Sequence, residues 1–229
     1  MSHQDKIIGQ QVPWEQPISA DSIQKILKMC AIGPETISPN FHILDFGCGN
    51  GRYLELFATW FPKQNLYGTE VIKERVIQVS RKGFKVLLLN PQQNYLTFKS
   101  ASFDIVFSSN VIEHIPRSLY LDYLRDIHRV LKPGGRFVVG TPNYPIKRLY
   151  DMRLALTTQF TKYYLFDDPT HCNKLSIFQL EKDLSKVFKV VYLEPTRLFL
   201  QEKSAWLREP KVRQMLKGFG NKVIGYCIK

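Results

Sequence analysis

The chain has 229 residues, 44% of them hydrophobic and 23% charged, which excludes a disordered chain and suits one substantial core rather than two ordinary domains. No apolar run reaches the roughly 20 residues that a bilayer-spanning helix needs, and no apolar signal core follows the first charges, so a cytoplasmic protein is expected. The net charge of +12 suits an anionic partner, whether an acidic small molecule, nucleic acid or a lipid surface touched peripherally, but the basic residues form no block and read equally as a solvated face.

Apolar runs alternate with helical patterns along the chain, as in an α/β sheet. A helix is predicted over Ser22 to Ala31, capped by Ser19 or Asp21, inside an N-terminal helical segment of residues 1–40. Strands follow at Phe41 to Phe46, Asn65 to Glu70, Phe84 to Leu89 and Phe103 to Ser108. Helices fall between them at Arg52 to Phe61 and Lys73 to Arg81. Arg117 to Lys132 is the clearest helix, with Leu121, Leu124, Ile127 and Leu131 at helical spacing. Pro133-Gly134-Gly135 turns the chain into a fifth strand, Arg136 to Gly140. Ser176 and Gln179 fit a capping box that opens a helix to about Lys186. Strands at Val187 to Leu193 and Val223 to Ile228 complete the count at seven.

Residues 141–175 interrupt the alternation with Pro142, Pro145, Pro169 and many aromatics, among them Tyr144, Tyr150, Phe160, Tyr163, Tyr164 and Phe166. A stretch of that kind reads as an inserted lid that binds substrate. Cys30, Cys48, Cys172 and Cys227 share no short metal-binding spacing, so reduced thiols and no metal site are expected.

The chemistry centres on Ile43-Leu44-Asp45-Phe46-Gly47-Cys48-Gly49-Asn50-Gly51-Arg52, an apolar strand that runs into close-set glycines and a helix. Glycines let the backbone turn sharply and admit a ligand without a Cβ in the way. The free N–H groups of such a turn favour an electronegative ligand group. The dinucleotide pattern would put glycine at position 52, which here is Arg, and the third glycine is instead Gly51. Glu70 ends the second strand 19 residues past Gly51, where a carboxylate can accept ribose hydroxyls.

This set resembles the class I S-adenosylmethionine-dependent methyltransferases, in particular their small-molecule, ubiquinone-pathway O-methyltransferase-like branch. Phe103-Asp104-Ile105-Val106-Phe107-Ser108-Ser109, Val111-Ile112-Glu113-His114-Ile115, Val130-Leu131-Lys132-Pro133-Gly134-Gly135 and Thr141-Pro142-Asn143 extend the resemblance. It implies a Rossmann-like doubly wound sheet, seven-stranded and mainly parallel with the last strand antiparallel, and helices on both faces. It implies S-adenosyl-L-methionine as cofactor and methyl transfer to a small molecule, at oxygen. The implied cofactor contacts are Asp45, Gly47, Cys48, Gly49, Gly51, Glu70, Val71 and Ser109. The acidic residue usual after the third strand is missing from Leu89-Asn90-Pro91-Gln92-Gln93-Asn94, and Gln92 is the substitute for the adenine contact.

An unperturbed imidazole has its pKa near neutrality, which makes His114 a candidate general base, and His171 is a second catalytic candidate reaching back from the lid. Glu113 either holds that imidazole or points elsewhere, and His128 reads as surface. Three other readings compete. A nicotinamide-dependent oxidoreductase is opposed by Arg52 and the Glu-His segment. A cofactor-binding module without turnover would fit the missing acidic residue. A nucleic-acid methyltransferase would fit the charge, but Ser109-Asn110-Val111-Ile112 stands where a base-gripping Asn-Pro-Pro-aromatic segment is expected.

Overall fold

A computed structural model describes residues 18–90, 92–93, 95–157, 168–198 and 210–229. Seven strands form one sheet: β1 (Ile43–Phe46), β2 (Leu66–Glu70), β3 (Lys85–Leu88), β4 (Phe103–Ser109), β5 (Leu131–Pro142), β6 (Val190–Leu198) and β7 (Gly220–Ile228). Their order is β3-β2-β1-β4-β5-β7-β6. The pairs from β3 to β5 are parallel, and β7 runs antiparallel to both β5 and β6. This is the doubly wound sheet implied by the resemblance, with the strand order reversing between β1 and β4 while the strands stay parallel.

Two cores sandwich the sheet. α1 (Ala20–Cys30), α2 (Arg52–Phe57) and α3 (Lys73–Arg81) supply one face with Ile26, Met29, Leu54, Phe57 and Val79. α4 (Arg117–Val130) and α6 (Ile177–Leu184) supply the other with Tyr120, Leu124, Ile127, Leu180 and Leu184. All four residues of β1 are buried, as expected of a parallel strand covered on both sides. Ile43 joins one core and Leu44 the other, the alternation a strand imposes. α5 (Ile146–Thr157) and α7 (Pro210–Met215) complete the helices described.

Several boundaries differ from the sequence reading. α1 opens earlier, because the Ser19 hydroxyl accepts from the Ser22 amide at 3.3 Å. α2 ends at Phe57 and turns through to Phe61. α4 stops at Val130, two residues short of Lys132. The Ala101 and Ser102 amides take the carbonyls of Arg129 and Val130, and Lys229 Nζ donates to Leu131 O at 2.7 Å. The buried stripe of α4 is also rotated toward Tyr120 and Tyr123, with Leu121 left partly buried. β6 begins at Val190 rather than Val187, and β7 at Gly220 rather than Val223. α6 is capped by Ser176 as read, but Gln179 reaches Asp183 rather than closing the box. His128 is half-buried against the Phe188 ring instead of lying on the surface.

The insertion contains a helix the sequence reading missed, α5, and its aromatics Phe160, Tyr163, Tyr164 and Phe166 lie outside the described residues, as do positions 1–17. Its base closes on Asn143, which is 1% exposed. Asn143 Nδ2 donates to Gly218 O at 3.1 Å and to Gly220 O at 2.6 Å, while Oδ1 accepts from the Ile177 amide at 2.8 Å. One side chain thereby joins β5, β7 and α6. Removing it strands three backbone groups in a buried place, each costing about 1–3 kcal/mol. Asn143→Ala is expected to lower unfolding free energy by about 2–4 kcal/mol in a urea titration, and a loss under about 0.5 kcal/mol would refute this role.

Candidate functional site

The glycine turn leaves β1 at the carboxyl edge of the sheet, next to the point where strand order reverses. Gly47 has φ +77°, and a Cβ there would lie 2.5 Å from Val111 Cγ2, so only glycine fits. Gly49 has φ +54° and faces open space, which leaves its surroundings clear for a ligand. Gly51 sits at the N-cap of α2. The turn is tied to β2: Gly47 N donates to Thr69 Oγ1 at 3.2 Å and Cys48 N to Thr69 O at 2.8 Å. The Cys48 thiol points inward, so close to Gly68 that a Cβ there would stand 2.8 Å from Sγ. Burial holds that thiol protonated, and only the Cys48 backbone is available to a ligand.

Glu70 meets this turn. Its Oε2 accepts from the Gly49 amide at 2.9 Å, and Oε1 from Val71 N at 2.7 Å and Ile72 N at 3.1 Å. Arg75 stands 4.0 Å from Oε2. Bonds from neutral amides to a carboxylate are about twice as strong as neutral pairs, and this one clasps both βα turns. Val71 is exposed beside it, and Gln92 is exposed on the loop after β3, its amide bonded to Asn90 Oδ1 at 3.0 Å. Asp45 is fully buried below the turn, with Oδ2 lacking a hydrogen-bond partner. Burial, then the Glu70 charge, pushes its carboxyl up to about 8.

Ser109 ends β4, and its hydroxyl lies 3.3 Å from the Tyr53 hydroxyl. The sequence reading passed over Tyr53. Its signal is its place in the first turn of the helix that follows the glycines.

A second group gathers after β4. Glu113, in a 3₁₀ turn, points inward rather than holding an imidazole: Oε2 accepts from Thr141 Oγ1 at 3.0 Å, and Oε1 has no partner. Burial raises this carboxyl to about 7 against the opposing pull of its own backbone amide and of the Thr141 hydroxyl. The rings of His114 and His171 meet edge to face with centroids 4.7 Å apart. Thr170 Oγ1 lies 2.9 Å from His114 Nδ1 and donates to Asp168 Oδ1 at 2.6 Å. A hydroxyl has one hydrogen, so His114 Nδ1 is the donor to Thr170, and in the neutral imidazole this leaves the lone pair on Nε2. His171 Nδ1 lies 2.6 Å from the Tyr144 hydroxyl. Cysteine spacing predicts no metal site, yet one ligand atom each from Glu113, His114 and His171 lies within 4.8 Å of the others. The structure thus brings the turn residues and Glu70 together at one place, and His114 and His171 at another.

The model of a methyltransferase domain family matches residues 19–191. A demethylmenaquinone methyltransferase of Lactococcus lactis is 30% identical over 122 residues, covering 50% of this chain and 47% of its own. A ubiquinone biosynthesis O-methyltransferase of Ruegeria pomeroyi is 28% identical over 116 residues, covering 49% and 45%. The chain thus spans about half the length of the curated relatives it matches. A solved S-adenosylmethionine-dependent methyltransferase from Archaeoglobus fulgidus superposes with a TM-score of 0.62 over 92% of this chain and 95% of its own. Its identity is 18%, so that likeness is one of fold.

Asp45 generates a pH prediction. Its folded value stands above the ordinary carboxylate value of 3.8, so the folded state keeps a proton that the unfolded state releases first. Its contribution to stability is therefore whole below about pH 4 and is lost as pH rises to about 8. Between about pH 5 and 8.5, the melting temperature of Asp45→Asn should fall less than that of the wild type; equal slopes would contradict the assignment.

Proposed function

The chain belongs to the class I S-adenosylmethionine-dependent methyltransferase family, and from that premise we propose that it methylates a small-molecule acceptor at oxygen. The observation that carries this reading is the contact between the Glu70 carboxylate and the Gly49 amide at the mouth of the sheet. A carboxylate in that position accepts the ribose hydroxyls, and the open ground at Gly49 admits the methionine part. Gly47, Gly51 and the Cys48 backbone shape the turn under that part, and Asp45 orients it from below. Val71 covers the adenine, Gln92 bonds its edge, and Ser109 lines the cleft near the sulfur.

The sulfonium supplies an activated methyl group, so the protein's task is alignment of the acceptor oxygen with the methyl carbon and sulfur. An electron pair on oxygen forms the new bond as the carbon–sulfur pair returns to sulfur. Neutral S-adenosylhomocysteine leaves, and the hydroxyl proton goes to a base. His114 and His171 stand at the acceptor end of this arrangement. The free lone pair on His114 Nε2 suits it to activate the hydroxyl. The insertion of residues 141–175 supplies the acceptor's enclosure, and the basic balance of +12 favours an anionic one. No helix among the described residues is long and apolar enough to cross a membrane. We place the reaction in the cytoplasm, with peripheral membrane contact compatible with it.

Calorimetry with the purified chain should detect binding of S-adenosylmethionine and its demethylated product. Absence of heat at millimolar ligand would overturn the reading. Glu70→Ala is expected to weaken that binding by about tenfold or more, whereas His114→Ala spares it and slows turnover about 10²-fold. Equal cofactor affinity in both variants would remove the ribose assignment, and unchanged turnover in His114→Ala the activation role.

A further inference from the structure

The geometry points to a binding site for one divalent transition-metal ion formed by Glu113, His114 and His171. Two imidazoles and one carboxylate present ligand atoms within 4.8 Å of one another. That donor set suits zinc, iron or cobalt and is a poor match for magnesium or calcium, which prefer oxygen ligands. With three protein ligands, a fourth position stays open for water or substrate.

A second, independent observation supports the site. Glu113 is 1% exposed, and its Oε1 has no hydrogen-bond partner, while Oε2 is held by Thr141. A buried carboxylate oxygen without a partner is costly unless a cation meets it. The outer contacts fit the same purpose. His114 Nδ1 donates to Thr170 Oγ1, which is anchored in turn on Asp168 Oδ1. His171 Nδ1 faces the Tyr144 hydroxyl. Its Nε2 lies 3.7 Å from Asp168 Oδ2. Ligating histidines are oriented by such polar partners, and the Thr170 contact on Nδ1 leaves Nε2 of His114 facing the ion. His114 is exposed and gives an ion a way in.

As a means of activating the acceptor, the site rests on the methyltransferase reading: with an ion bound, His114 Nε2 is a ligand and not a free base, and a hydroxyl in the open position would be polarised by the cation instead. As a binding site it stands apart from that reading. Cobalt(II) is the probe, titrated into the purified full chain with its visible absorption recorded. The wild type should bind one ion per chain with a ligand-field spectrum. Glu113→Gln and His171→Ala should each lower the affinity by about tenfold or more, and Thr170→Val, which touches no ligand atom, should lower it by about tenfold. Circular dichroism checks folding; if Glu113→Gln fails that check, His114→Ala, at an exposed position, takes its place. No cobalt uptake by the wild type at millimolar concentration, or variants that bind like wild type, would overturn the site. A parallel titration with S-adenosylmethionine separates the two ideas. Cofactor binding without cobalt binding removes the metal site alone, and cobalt binding without cofactor binding removes the proposed function alone.

Discussion

The Glu70 carboxylate is the constraint on which the rest depends. Two βα turns, one after β1 and one after β2, each leave backbone amides pointing past the sheet edge. One carboxylate accepts from both, through Gly49 on one side and Val71 and Ile72 on the other. The glycine turn needs left-handed backbone, which gives it little intrinsic preference for a single shape. Fixing it to β2 by a charge-assisted bond and by the two Thr69 contacts gives the turn one conformation, and a preorganised cleft binds with less ordering cost.

The acidic ground beneath that cleft has a chemical meaning. Asp45 is buried with Glu70 as its nearest like charge, and both influences favour its neutral form. In this carboxyl pair, burial and the neighbouring Glu70 hold Asp45 toward its protonated form. A ligand bearing a positive sulfonium and an ammonium group would favour the ionised pair. In the proposed reaction the acceptor is met elsewhere, by His114 after β4 and by His171 with its neighbours Tyr144 and Thr170, so different parts of the chain would hold its two halves.

Much of this was legible in the sequence. The strands and the glycine turn were, because parallel strands buried on both faces read as apolar runs and positive-φ positions read as glycine. The spacing marked Glu70 as a ribose acceptor at the strand end; that its carboxylate also bonds the Gly49 amide depends on how the two turns approach, which spacing does not encode. The end of α4 was hidden, because its carbonyls are satisfied by Ala101, Ser102 and Lys229, groups remote in sequence. The rotation of its buried face toward Tyr120 and Tyr123 was hidden too, since tyrosine suits surface and core alike. The Glu113–His114–His171 group was invisible as a cluster, because its third member lies 57 residues from the second and no local pattern links them. The contact of Tyr53 with Ser109 depends on the direction α2 takes after the glycines, which no spacing encodes.

Asn143 has a consequence for how such a chain diversifies. The segment that leaves β5 and returns to α6 is pinched shut at its root: Tyr144 N bonds Leu175 O at 3.0 Å, and Ile177 N bonds the Asn143 side chain. With the two ends clamped together, closure entropy grows only logarithmically with the length between them, by about 0.6 kcal/mol per doubling. Descendants can therefore lengthen, trim or rewrite that excursion while the sheet and its cradle keep their shape.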